Sequence, residues 1–143
     1  MSLLSRSSGM SGQFLDWPTS VSEWSGFLSR WGMETDVSVR ALALGWYAHQ
    51  LLGVRLVIIS GFRDPARQTA LRRQWDAGCR SACGIAVRPA ERSAHSDRIA
   101  FDVTATVPPT PAQWVRIGEI GEALGLRWGG RFSTPDRPHF DGR

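Results

Sequence analysis

Only two cysteines, Cys79 and Cys83, and only three histidines occur in this chain of 143 residues. Two thiols in C-x3-C spacing with no second pair exclude a cysteine-built zinc finger and a disulfide scaffold. The pair can close a local disulfide in an oxidising compartment or stay reduced in the cytosol. The opening "MSLLSRSSGMSGQF" lacks the apolar run of about 7–15 residues that a secretory signal needs. No stretch approaches the roughly 20 apolar residues of a membrane span, so no membrane insertion is expected. HExxH, the common zinc-peptidase helix motif, is missing, and so is any internal repeat. No basic cluster with interleaved aromatics is present, so a nucleic-acid partner is not expected.

What remains is the composition of a soluble globular protein, 42% apolar and 21% charged. The length suits one domain, which buries about 68–70% of its unfolded surface and needs no covalent staple. Residues 1–13 read as a flexible tail and 14–143 as a single domain. Seven tryptophans suggest a core or groove with broad flat walls. The net charge of +4, mostly from arginine, suits a polyanionic partner such as a bacterial wall.

Local signals give the element order. Ser20 and Glu23 stand in capping-box spacing, predicting a helix over Val21–Trp31. Asp36 is expected to cap a second helix, Val37–Leu52, ended by Gly53. "VRLVIIS", 54–60, is a β-branched apolar run and reads as a buried strand. Asp64 and Pro65 open a third helix running to a stop at Gly78. Residues 79–94 lack any period and read as a long loop, a length more often functional than incidental. "RIAFDVTA" alternates, with Ile99, Phe101 and Val103 on one face and Ala100, Asp102 and Thr104 on the other. Thr110 and Pro111 begin a last helix ending at Gly125, and "LRW" and "HFD" can close the sheet. Helices first, strands later and no βαβ repeat predict an α+β fold with a small, mainly antiparallel sheet.

His49 sits in a helical pattern without an acidic neighbour and reads as a packed or surface histidine. His95 and His139 differ. The first lies in a loop just ahead of the strand carrying Asp102. The second lies in "PDRPHFD", stiffened by two prolines. Two histidines and a carboxylate form a competent catalytic zinc set, leaving one position for water, whose pKa zinc lowers to about 7. A general base must then stand within hydrogen-bond reach, and Asp136, three residues ahead of His139, is the nearest candidate. Spacing alone leaves both a metal site and ordinary loop histidines open.

Three segments then resemble the LAS zinc peptidases, which include D-alanyl-D-alanine carboxypeptidases and phage L-alanyl-D-glutamate endopeptidases. "SAHSDRIAFD" is similar to their S-x-H-x-x-G-x-A-x-D motif. "ISGFRDPARQTAL" is similar to their S-G-[FY]-R segment with its following glutamine. "LGLRWGGRFSTPDRPHFD" is similar to their G-[FL]-x-W-G-G…D-x-P-H-F-[ED] ending.

The resemblance implies zinc on His95, Asp102 and His139, with Asp136 as catalytic base. It implies that Arg63 holds a substrate carboxylate or polarises the scissile carbonyl, and that Gln68 and Ser93 line the same pocket. It also implies the group's α+β fold, with helices packed on an antiparallel sheet that carries the metal. One position departs: the motif's glycine is Arg98. If that glycine serves a positive φ, arginine strains the turn between His95 and the strand.

D-R-P-H-F, as found here, favours the endopeptidases and cleavage of the peptidoglycan stem peptide between L-alanine and D-glutamate. The expected protein is a monomeric phage-lysin-type hydrolase, made in the cytoplasm or carried on a virion and acting on the wall. The alternatives are a D-alanyl-D-alanine carboxypeptidase and a zinc-bearing structural or binding domain without turnover, a reading that Arg98 keeps open.

Overall fold

A computed structural model describes residues 12–85, 88–89 and 93–143. Strand β1 (Gln13–Phe14) leads into helices α1 (Val21–Trp31) and α2 (Thr35–Leu52), then β2 (Leu56–Ser60) and α3 (Pro65–Asp76). Strand β3 (Ala100–Ala105), helix α4 (Pro111–Ala123), β4 (Arg127–Trp128) and β5 (His139–Asp141) follow. The five strands form one antiparallel sheet in the order β1-β2-β3-β5-β4. The α+β expectation holds, but strands and helices interleave rather than separating along the chain.

Capping chemistry explains most helix starts. Ser20 Oγ accepts from Glu23 N, Asp64 accepts from Arg67 N, and Thr110 forms a reciprocal capping box with Gln113. Helix α2 is the exception. It begins at Thr35 with Glu34 as cap residue and no side-chain cap, so Asp36 lies in the first turn rather than at the cap. Its start is fixed by tertiary structure instead: Glu34 N donates to Arg98 O at 2.8 Å. Gln13, placed in the flexible tail by its composition, pairs with Ile58 in the sheet. Residues 1–11 of that tail, and residues 86–87 and 90–92 of the expected long loop, lie outside the described residues.

One face of the sheet is the core. Leu56, Ile58, Phe101, Val103 and Phe140 are at most 1% exposed and pack with Ala41, Leu44 and Ala48 of α2 and Ile117 of α4. Gly118 and Gly121 let α4 close on the sheet, because a Cβ at either position would overlap the ring of Trp128 or Phe140. Side chains alternate along a strand, so the residues between these apolar ones point to the other face. Among them are Asp102, His139 and Asp141.

Beyond α3, Cys79 and Cys83 are joined by a disulfide. Arg80, between them, stacks on Trp75 at 4.1 Å. Among the described residues no helix is long and apolar enough to cross a membrane.

Candidate metal centre and active site

The site is a row across three adjacent strands. Asp102 on β3 pairs directly with His139 on β5 and, on its other side, with Ser60 on β2. The second pairing depends on a bulge. The register runs Ile58 to Val103 and then Ser60 to Asp102, leaving Ile59 as the extra residue. Without that insertion, Ile59 would face Asp102; with it, a hydroxyl stands there.

His95 arrives from the loop ahead of β3. Residues 94–99 turn in a helix-ending motif: Ile99 N donates to Ala94 O at 3.2 Å and Arg98 N to His95 O at 3.3 Å. That motif requires a left-handed residue at its exit, and Arg98 supplies it with φ 65°, the one non-glycine positive φ among the described residues. This is where the resemblance places glycine. The strain expected of arginine there is real, and three contacts offset it. The guanidinium lies over the Phe62 ring at 3.8 Å and donates to Gly32 O at 3.0 Å, while the Arg98 carbonyl accepts from Glu34. The ligand loop is thereby tied to the junction of α1 and α2.

Three atoms converge. His95 Nε2 and His139 Nδ1 each stand 3.4 Å from Asp102 Oδ1, and all three ligand atoms lie within 4.8 Å of one another. Ligands about 2.0–2.1 Å from a tetrahedral zinc stand about 3.4 Å apart, so these two edges have the size that zinc requires. Asp102 Oδ1 is buried yet has no hydrogen-bond partner, an orphaned acceptor aimed at the point the two rings share. The remaining ring nitrogens are anchored: His95 Nδ1 to Gly61 O at 2.8 Å, and His139 Nε2 to Asp141 Oδ2 at 2.7 Å. Such outer partners fix ring orientation and tautomer in metal sites. The donor set fits zinc.

Electrostatics agree. Burial opposes charge on Asp102, but His139 and His95 overcome it and hold its carboxyl well below the usual range. Burial would likewise lower His139, yet Asp102 and Asp141 on its two nitrogens push it up to about 9 in the metal-free protein. Burial raises Asp136, helped by the negative charge of Asp102 and opposed by His139, His95 and Arg63. Asp136 therefore lies within reach of the charges on the three ligands and Arg63. Its backbone is pinned on both sides, N–H to Gly129 O at 2.8 Å and carbonyl from His139 N at 3.1 Å. Gly129 is needed for this approach, since a Cβ there would overlap Asp136 O.

Arg63 follows β2, with its N–H donating to His95 O at 3.1 Å. Its guanidinium donates to Gln68 Oε1 at 3.0 Å and Ser60 Oγ at 3.5 Å. Gln68, 3% exposed, stands behind the arginine. Ser93 accepts from His95 N at 3.1 Å and supports the ligand loop. All seven residues singled out in the sequence thus gather at one place, whereas His49 lies on α2, away from the cluster. Asp141 was missed, although alternation in "HFD" puts it on the face of His139.

Comparison with known families falls on two of the three segments. A family model described as D-alanyl-D-alanine carboxypeptidase matches residues 86–142, which hold the two histidines, Asp102 and Asp136. Over this segment, about two fifths of the chain, the sequence is similar to the zinc peptidase family that the model describes. The matched family and the His95, Asp102 and His139 group both point to zinc metallopeptidase chemistry. Among solved structures it is similar to the Serratia marcescens L-Ala D-Glu endopeptidase ChiX, with 25% identity over 82% of this chain and 84% of that one, TM-score 0.55. The fold is shared with VanY, a vancomycin-resistance D,D-pentapeptidase solved with Zn(II), at 18% identity over 76% and 71% of the two chains, TM-score 0.54. It is also shared with the LD-carboxypeptidase LdcB, at 15% identity over 76% and 58%, TM-score 0.57. No curated protein matches the chain.

Proposed function

We propose that this chain is a LAS-type zinc peptidase that hydrolyses the peptidoglycan stem peptide between L-alanine and D-glutamate, using His95, Asp102 and His139 as zinc ligands. The observation that carries the choice of bond is the likeness to the Serratia endopeptidase, which spans more than four-fifths of both chains.

Zinc, when bound, supplies Lewis acidity at the scissile carbonyl and to the attacking water. The chain supplies the rest. Arg63, held in place by Gln68 and Ser60, offers a fixed donor fork to the oxyanion that develops on the carbonyl oxygen. Asp136 takes a proton from the attacking water and returns it to the leaving amine. Its raised pKa suits both steps, because a base nearer the working pH can also act as the acid. Arg63 can also meet the carboxylate of a glutamate next to the cleaved bond.

Purified protein on peptidoglycan, with and without a chelator, tests the reading by mass spectrometry of the released fragments. A chelator-sensitive product with a new D-glutamate N-terminus is expected. Release of terminal D-alanine instead would overturn the choice of bond and make the protein a carboxypeptidase. Asp136→Asn should keep one zinc and lose about 10²–10⁴-fold in kcat; an unchanged rate would remove Asp136 from its role.

A further inference from the structure

The net charge of this chain is not spread evenly along its sequence. Seven of the 17 arginines and three of the 13 acidic residues lie between Arg63 and Arg92, a balance of +4. The other ten arginines and ten acidic residues cancel, so the whole excess belongs to the segment formed by α3 and the stretch leading to His95. None of the basic residues in the chain is a lysine.

On α3 this charge faces solvent. Arg67 and Arg73 are exposed and Arg72 half-buried, while Gln68 and Leu71 turn inward. Nearby acids are committed elsewhere. Asp64 caps the helix, and Asp76 stands 4.0 Å from Arg88 at the far end. Among the described residues, no acidic side chain pairs with Arg67 or Arg73. Arg80 extends the basic surface beyond the helix, stacked on Trp75. The helix has 12 residues, about 18 Å at 1.5 Å per residue, and starts two positions after Arg63. Arg67 is close enough for its charge to act on Arg63. Basic residues therefore continue from Arg63 at the active site onto the exposed side of α3.

We propose that the solvent side of α3 is a docking surface for the carboxylates of the peptidoglycan strand that continues past the stem peptide held at the metal. This rests on the peptidoglycan reading above. The argument is one of continuity and chemistry. An anion that meets α3 while a stem lies at Arg63 belongs to the same polymer, and stems that contain glutamate and end in a carboxylate present such groups repeatedly. Guanidinium forks match carboxylates in a bidentate way, and several weak exposed pairs act together when the ligand is a polymer. The rest of the chain carries as many acidic residues as arginines, so no comparable excess of positive charge occurs elsewhere in the sequence.

The test uses zinc-loaded Asp136→Asn protein on purified sacculi stripped of accessory polymers, so that retention is measured without digestion. Retention should be strong at low salt and lost by 1 M NaCl, where the screening length is about 3 Å. It should also fall when the wall carboxylates are blocked by amidation. Arg67→Gln with Arg73→Gln should weaken retention about tenfold, because exposed pairs are individually weak, and the two lysine variants should restore most of it. In the otherwise wild-type protein, Arg73→Gln alone should lower the rate on sacculi and leave kcat/KM on a short soluble stem peptide unchanged. Retention that survives amidation or 1 M salt overturns the proposal, as does an equal loss of rate on both substrates. Failure of the peptidase reading shows separately, as no cleavage of the soluble peptide by wild-type protein.

Discussion

Asp141 is completely buried, yet it ties the ring of a proposed zinc ligand to a neighbouring arginine. It accepts from His139 Nε2 at 2.7 Å and forms a bidentate pair with Arg127, with contacts of 2.8 and 3.0 Å. Asp141→Asn should leave the three ligands in place but weaken zinc binding about 10–100-fold, the usual cost of losing such a partner. Chelator competition measures this, and unchanged affinity would mean that the ring is held by packing alone. Arg98 gives a second prediction at this scale. Alanine there keeps the unfavourable φ and loses both the Phe62 stack and the bond to Gly32, whereas glycine loses the contacts but relieves the backbone. Arg98→Ala should therefore be less stable than Arg98→Gly by about 1 kcal/mol, read as a difference in denaturation midpoints. The order reversed would show that the turn carries no strain.

At the scale of elements, α4 depends on its two glycines. Gly121→Ala places a methyl against the Phe140 ring and should cost about 1–3 kcal/mol, because the ring is packed on both sides and cannot retreat. A thermal melt would show it, and a neutral result would mean that helix and sheet separate easily. Much of this level was legible in the sequence, since helix signals are local. Ser20, Asp64 and Thr110 cap through neighbours three residues away, and the alternation in β3 names the buried face directly. What could not be read depends on distant backbone. The start of α2 is set by Arg98, 64 positions beyond Glu34, and β1 exists only through its pairing with β2. The bulge that turns Ser60 toward Asp102 leaves no mark in "VIIS". The zinc ligands were legible only through resemblance, because no spacing rule joins a loop histidine to one 44 residues later.

For the whole molecule, the charges gathered at the site make stability and metal uptake depend on pH in opposite ways. Asp102 and Asp141 are held below their usual range, so their contribution is present above about pH 3.8 and lost as the pH falls. His139 is raised, so its contribution is complete below pH 6.5 and lost as the pH rises toward about 9. The metal-free protein should thus be most stable between about pH 4 and 6.5, and its melting temperature should decline from pH 6.5 to 9 while that of the zinc form does not. Zinc must displace the proton on His139, so its apparent affinity should rise with pH up to about 9, with proton release visible by calorimetry in two buffers. A flat profile would refute the charged His139. The bridge between Cys79 and Cys83 lies outside this network. It spans a separation of four residues beyond α3 and closes no strand or ligand into its ring. A loop that short restricts the unfolded chain by only about 2 kcal/mol in the chain-entropy account. Maturation then has two independent clocks, one for thiol oxidation and one for metal loading. A chain made under reducing conditions can assemble its catalytic centre first and acquire its covalent link afterwards, as alkylation of the zinc-loaded protein would record.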